Sequence, residues 1–265
     1  GLLNAMDRRL TLFTDKTCNP ATFTGSKRCR ELNVLENAYL MNNAIKRLDN
    51  GLFVMVNDTH LSKWVEEEGR LDHARHFLER VRQYIPEGGT VIDCGTSIGD
   101  HTVTYSSWVG PEGQVIGFEA NPDVYECACL NLSIYPWCKI YNEGLGEAYG
   151  VAGISLNDNV GASYLTQNGR EVKITPLDAY IDQVTRCDFI KVDIEGCELK
   201  FLKGAVNFIS KYKPAILMEI NDGALKLQDA TPALVFHELR RMGYSYKVID
   251  GKAGSAQYEI LATCK

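Results

Sequence analysis

No stretch of this 265-residue chain approaches the roughly 18 consecutive apolar residues that a membrane-spanning helix requires. Long basic runs are missing too. The densest is Lys27-Arg28 with Arg30 close by, and 34 acidic against 28 basic residues leave a net charge of −6. That balance disfavours a nucleic-acid partner, which calls for clustered positive charge. The nine cysteines contain no C-x-x-C and are odd in number, so neither a zinc site nor a complete disulfide framework is expected. Cys94, Cys187 and Cys197 lie in or beside apolar runs and read as buried thiols of a reducing compartment. Cys18 and Cys29 flank a Pro/Thr/Gly/Ser-rich stretch and are the one pair suited to a bridge in an oxidising compartment. Residues Gly1 to Arg9 lack the apolar core and cleavage site of a signal peptide. A cytoplasmic location is therefore expected, with Gly1 in place of Met marking a trimmed start that leaves room for a lost targeting segment. Internal repeats are absent, and 45% hydrophobic with 23% charged residues excludes disordered and collagen-like classes.

What is present from Gly88 onward is an alternation of short β-branched runs with amphipathic segments, the pattern of a parallel sheet wrapped by helices. Strands are predicted over 90–93, 114–120, 139–142, 188–194, 214–220, 244–249 and 258–263. Helices are predicted to about 109, from 122 to about 134, over 198–210 and over 234–242. Only the turn-rich stretch 250–255 separates the last two strands, which makes them antiparallel neighbours. The expectation is an α/β fold with seven strands in a mixed sheet, the last one reversed. An extra hairpin, 151–156 with 171–175, encloses a Gly/Asn/Ser-rich loop over 157–169, and Pro176-Leu177-Asp178 opens a short helix. The first 85 residues differ in kind, with helices predicted over 31–48 and 71–84 around a short strand at 52–56. They lack the apolar density of an independent domain and read as an appendage packed on the sheet or over its carboxyl edge, beside a main domain spanning 86–265. Trp64 reads as core rather than as a ligand contact.

The strongest site signal is the strand-turn-helix run Val91-Ile92-Asp93-Cys94-Gly95-Thr96-Ser97-Ile98-Gly99-Asp100-His101-Thr102. Two glycines four apart leave backbone N–H groups uncovered where a ligand approaches a helix N-terminus. Twenty residues after Gly99, Glu119 ends the second strand in Gly117-Phe118-Glu119-Ala120-Asn121-Pro122, where an acid accepts hydrogen bonds from ribose hydroxyls. A dinucleotide enzyme wants G-x-G-x-x-G. Here the spacing is Gly95-x-x-x-Gly99, which favours a nucleoside carrying an amino-acid tail, namely S-adenosylmethionine, with Asp93 or a strand-end carbonyl available to its ammonium. A nicotinamide oxidoreductase is disfavoured by the missing middle glycine.

These residues, with Asn131, Pro176-Leu177-Asp178, Ile190-Lys191-Val192-Asp193-Ile194-Glu195-Gly196-Cys197-Glu198, Leu202-Lys203-Gly204-Ala205 and Lys213-Pro214 to Glu219, resemble the FkbM family of S-adenosylmethionine-dependent methyltransferases. The resemblance covers roughly residues 50 to 262. It implies the class I methyltransferase Rossmann-like fold and O-methylation of a hydroxyl on a sugar, glycan or other small molecule. One departure is visible: the family's usual Ala-Asn inside the glycine loop is Thr96-Ser97 here. It prompts the alternative of a non-catalytic methyltransferase-like binding domain. Candidate cofactor-binding residues are Asp93, Gly95, Thr96, Ser97, Gly99, His101, Thr102, Glu119, Ala120, Asn121 and Asp193. The loop segment Gly161-Ala162-Ser163-Tyr164 also resembles a family segment, and the loop with the appendage is expected to set acceptor choice.

Asp193 and Glu195, two apart, are expected to point to one side at the end of the central strand, with Glu219 reaching the same edge from the next. Clustered acids repel, which raises one pKa and creates a general base for an acceptor hydroxyl unless a cation neutralises them. Lys191 supplies such a charge, or a divalent cation does, since oxygen-only ligands suit Mg²⁺ or Ca²⁺. Asp193, Glu195 and Glu219 are thus the candidate catalytic residues. Glu198 reads as favouring the start of its own helix. His101 is a rival base that more simply lines the cofactor site, and His73 with His76 reads as part of a solvated helix face.

Overall fold

The computed structural model describes residues 44–73, 75–155, 164–166 and 169–264. The predicted Cys18–Cys29 pair, most of the predicted 31–48 helix and Gly161-Ala162-Ser163 fall outside them. The chain opens with a small antiparallel pair, β1 (Ile45–Arg47) and β2 (Phe53–Met55), so the end of the predicted 31–48 helix is strand instead. Two short helices follow, α1 (Leu61–Glu68) and α2 (Arg75–Leu78), then a 3₁₀ turn at Arg82–Tyr84. The continuous helix predicted over 71–84 is broken there. Phe77, Leu78, Val81 and Ile85 keep helical spacing and are all buried, yet core packing sets their backbone path.

The main domain alternates as expected through β3 (Thr90–Cys94), α3 (Asp100–Val109), β4 (Gln114–Phe118), α4 (Pro122–Leu132) and β5 (Cys138–Tyr141). A second, four-stranded sheet is then built from β6 (Gly144–Leu145), β7 (Gly150–Ile154), β8 (Leu165–Thr166) and β9 (Arg170–Thr175), and contains the predicted hairpin as the antiparallel pair β7–β9. A 3₁₀ turn at Leu177–Tyr180 leads to β10 (Phe189–Val192), α5 (Glu198–Gly204), α6 (Val206–Tyr212) and β11 (Ala215–Asn221). The single helix predicted over 198–210 is two. Gly204 presses against the carbonyl of Gly146, where a Cβ would come within 2.0 Å, and at Ala205 the backbone leaves helical geometry with φ −120°. The chain ends with α7 (Asp222–Leu227), α8 (Pro232–Arg241), β12 (Tyr244–Gly251) and β13 (Gln257–Cys264). The sequence reading missed α7, whose cap is the Asn221 side chain accepting from Ala224 N–H.

The large sheet has the order β5-β4-β3-β10-β11-β13-β12. Its first five strands are parallel, and β13 alone is reversed, inserted antiparallel between β11 and β12. This is the class I Rossmann-like methyltransferase arrangement. From β3 the chain moves outward to β4 and β5, then returns to β10 and builds the other side. The crevice beyond the carboxyl ends of β3 and β10 is therefore the switch point where such sheets bind ligands. The first unit and the sheet share one core, in which Phe53, Val54 and Leu78 pack with Val91, Val103 and Leu130. Cys94, Cys187 and Cys197 are buried as expected.

Candidate active site

At the switch point lies a cleft of about 700 Å³, walled by the glycine loop, the ends of β10 and β11, and residues of the first unit. The glycine loop owes its shape to two close approaches. A Cβ on Gly95 would come 1.8 Å from the Asp193 carbonyl oxygen, so only glycine lets the turn after β3 lie against the chain leaving β10. Gly99, with φ +97°, caps α3 and meets the side chain of Leu132. Between them Ser97 holds φ +51° without being glycine, a conformation that costs energy and concentrates at functional sites. Its Oγ is buried without a hydrogen-bond partner on the wall of the cleft.

Glu119 closes the loop from the second strand. Its two carboxylate oxygens accept the backbone N–H of Ser97 at 3.0 Å and of Asn121 at 2.8 Å, fixing the group in the cleft wall. Burial pushes its pKa up to about 7, partly offset by these two amides. Asn121 in turn caps α4 by accepting from Asp123 N–H, with Pro122 in the first turn.

The candidate cofactor residues divide by position. Gly95, Ser97, His101, Glu119, Ala120 and Asp193 line the cleft. Thr96 is buried and turned away, its Oγ1 3.4 Å from the Asp93 carbonyl and over Gly117, where a Cβ would come within 2.4 Å of it. The Thr at this departure point is thus accommodated by a glycine on the neighbouring strand. Asp93 is fully buried behind the loop, where Thr102 Oγ1 donates to its Oδ2 at 2.5 Å. Burial pushes its pKa up to about 6 against the opposing pull of Lys191. Asp93, Thr96, Gly99, Thr102 and Asn121 therefore shape the site from outside the cleft lining.

Asp193, Glu195 and Glu219 do converge: one carboxylate oxygen from each lies within 4.8 Å of the others. The means differ from the sequence reading. β10 ends at Val192, and Glu195 lies in a turn at φ +50° instead of two residues along a strand. The following Gly196, at φ +99°, packs where a Cβ would meet the Ala224 carbonyl at 2.2 Å. Lys191, buried at 2% exposure, donates from Nζ to Asp193 Oδ2 at 2.7 Å. Burial works against its charge, but the Asp193 and Asp93 carboxylates outweigh it and hold the ammonium well above its ordinary pKa. Burial and the neighbouring Asp193 push Glu195 up to about 8 and Glu219 up to about 7. Glu198 accepts from the backbone N–H groups of Gly196 and Ile194, the helix-start role read from the sequence.

Sequence reasoning missed Glu259 on β13, which sits directly across from Glu219 in the sheet and lines the same cleft. Burial pushes it up to about 8. Sequence reasoning read His101 as lining the site, and His101 does border the cleft. His60, His73 and His76 border the cleft as well; His73 is half-buried in the turn before α2, whereas His76 is exposed on that helix, so only His73 departs from the solvated helix face read from the sequence. Burial, with Lys191 adding to it, holds His101 well below its ordinary pKa, and burial lowers His73 as well. Trp64 packs partly buried against the core and also reaches the cleft.

Residues 93–246, more than half of the chain, match the model of the methyltransferase FkbM domain. The hexuronic acid methyltransferase AglP of Haloferax volcanii is 27% identical over 170 residues, covering 60% of this chain and 68% of that protein. The catalytic subunit TRM61 of a tRNA (adenine(58)-N(1))-methyltransferase of Cryptococcus neoformans is 35% identical over 84 residues, 29% of this chain. The crystal structure of methyltransferase FkbM from Methylobacillus flagellatus KT aligns with a TM-score of 0.45 at 21% identity, over 66% of this chain. The chain spans 19% of the length of the fungal relative and 44% of that crystallised chain. By the domain it carries over 93–246, this chain belongs to the FkbM methyltransferase family.

Proposed function

We propose that the protein is an S-adenosylmethionine-dependent methyltransferase that methylates a hydroxyl on a sugar, glycan or other small molecule. The observation that carries this reading is Glu119, clamped by Ser97 and Asn121 amides in the wall of the cleft that Asp193, Glu195 and Glu219 also line. The residues present fit the cofactor. The partnerless Ser97 Oγ offers a hydrogen bond, Glu119 takes ribose hydroxyls, and eight Asp or Glu residues against one lysine favour a sulfonium cation in the cleft. When bound, S-adenosylmethionine supplies an electrophilic methyl group.

The chain's own residues then position the acceptor and take its proton. Glu195 and Glu219 have pKa values near neutrality, where a carboxylate is both sufficiently basic and sufficiently ionised to accept a hydroxyl proton. Lys191 is the internal cation that neutralises Asp193, so this reading needs no divalent ion in the acid cluster. Most of the rate arises from holding the acceptor oxygen in line with the methyl group. The similarity to a hexuronic acid methyltransferase supports a sugar-like acceptor. Of the Thr96-Ser97 departure that prompted the alternative of a non-catalytic domain, Thr96 is buried and turned away from the cleft while Ser97 keeps a hydroxyl on its wall, which weighs against that alternative.

Calorimetric titration with S-adenosylmethionine, S-adenosylhomocysteine and NAD tests the cofactor. Binding of the first two and not the third is expected, and binding of NAD alone would overturn the reading. A methyl-transfer screen over neutral sugars, uronic acids and free amines then tests the acceptor, with transfer only to amines the outcome that rejects O-methylation.

A further inference from the structure

His73 and His101 come from different parts of the chain, the first from the turn before α2 and the second from the first turn of α3, with Asp100 beside it. The structure brings them together. One ligand-capable atom from each of His73, Asp100 and His101 lies within 4.8 Å of the others. His101 Nε2 stands 3.5 Å from Asp100 Oδ2, yet it is buried and makes no hydrogen bond. A buried polar atom left without a partner is costly enough that native structures rarely keep one without a use.

We propose that His73, Asp100 and His101 form a binding site for a first-row transition-metal ion, Zn²⁺ foremost, with a remaining coordination position open to the cleft. Two imidazoles and one carboxylate are the donor set of borderline metals such as Zn²⁺, Co²⁺ and Fe²⁺, whereas Mg²⁺ and Ca²⁺ take oxygen ligands. Three protein ligands with one open position is the pattern of zinc sites that hold a water or a ligand group. Metal–ligand distances of about 2.0–2.2 Å place tetrahedral ligand atoms about 3.3 Å apart. The Asp100–His101 pair already stands at 3.5 Å and all three ligand atoms lie within 4.8 Å of one another, so closing the site asks for side-chain adjustments of an ångström or so. The acidic lining of the cleft attracts a cation, and Asp100 is buried where its charge gains most from one. Such an ion would tie the first unit to the helix that follows the glycine loop.

The site shares His101 with the candidate cofactor residues and lines the same cleft, but its test uses no S-adenosylmethionine. The full-length chain, freed of any purification tag and stripped with EDTA, is titrated with Co²⁺ and followed by visible absorption, with Zn²⁺ as competitor. One equivalent of Co²⁺ is expected, showing ligand-field bands without thiolate charge transfer and displaced by Zn²⁺. Affinity should fall by about 100-fold or more in His73→Ala and His101→Ala. It should be unchanged in His76→Ala, which borders the same cleft outside the ligand set. His73→Gln and His101→Gln carry the test if an alanine variant fails to fold. No stoichiometric binding, a thiolate charge-transfer band, or binding that the His73 and His101 variants leave intact would each overturn the proposal.

Discussion

The side chain of Asn131 on α4 holds both backbone groups of Phe53 on β2, accepting from its N–H at 2.9 Å and donating to its C=O at 2.9 Å. The same amide nitrogen also donates to the carbonyl of Ile98 in the glycine loop, at 2.9 Å. One buried side chain thus ties the first unit to the loop that shapes the cleft. Asn131→Ala removes three buried hydrogen bonds to backbone groups and is expected to lower stability by on the order of 3 kcal/mol, read from urea denaturation. An unchanged midpoint would mean that the two units are held by apolar packing alone.

Glu119→Ala is expected to weaken S-adenosylmethionine binding by about 1–3 kcal/mol, because the ribose hydroxyls and the amides of Ser97 and Asn121 all lose their acceptor. Calorimetry with the folded variant measures it. Unchanged affinity would remove Glu119 from the ribose site.

Asp193→Asn is expected to cut turnover far more than cofactor affinity, as its proposed place in the catalytic acid cluster requires. It also leaves Lys191 buried beside a neutral partner, lowering stability by on the order of 2 kcal/mol, less than for a wholly buried pair because the Asp193 side chain is 30% exposed. Adding Lys191→Met should restore much of that loss while activity stays low. Simple additivity of the two substitutions in thermal melts would show that the ion pair is not coupled.

Stability of the ligand-free protein should fall as pH rises. Burial holds Glu195 and Glu259 at about 8 and Glu219 at about 7, above the ordinary glutamate value of 4.5. Between those values the folded state keeps protons that the unfolded chain has released. The contribution is complete below the ordinary value and is lost progressively as pH climbs from 4.5 through 7 to 8. Melting temperatures across this range should decline, and less steeply in a Glu195→Gln, Glu259→Gln double variant. Equal slopes would place the cluster's titration outside the folding equilibrium.

The order of elements, the parallel pairing and the reversal of β13 were legible in the sequence, because hydrophobic period and connection length set which strands can be neighbours. The placement of Gly95 and Gly99 was legible for a similar reason: they belong to a strand-turn-helix local in the chain, and Glu119 was found by its spacing from it. Other features needed the fold. Glu259 becomes a cleft residue only through its register opposite Glu219, a long-range pairing that its neighbours in sequence do not reveal. Glu195 enters through a left-handed turn at φ +50°, held by packing of Gly196 against Ala224. The breaks at Ala205 and around Glu79 reflect close tertiary contacts overriding helical propensity. Local periodicity and turn chemistry thus determined what each segment of this chain is. Which distant side chains share one cleft, and with what charge, was decided by tertiary packing, because register and burial are properties of the whole sheet.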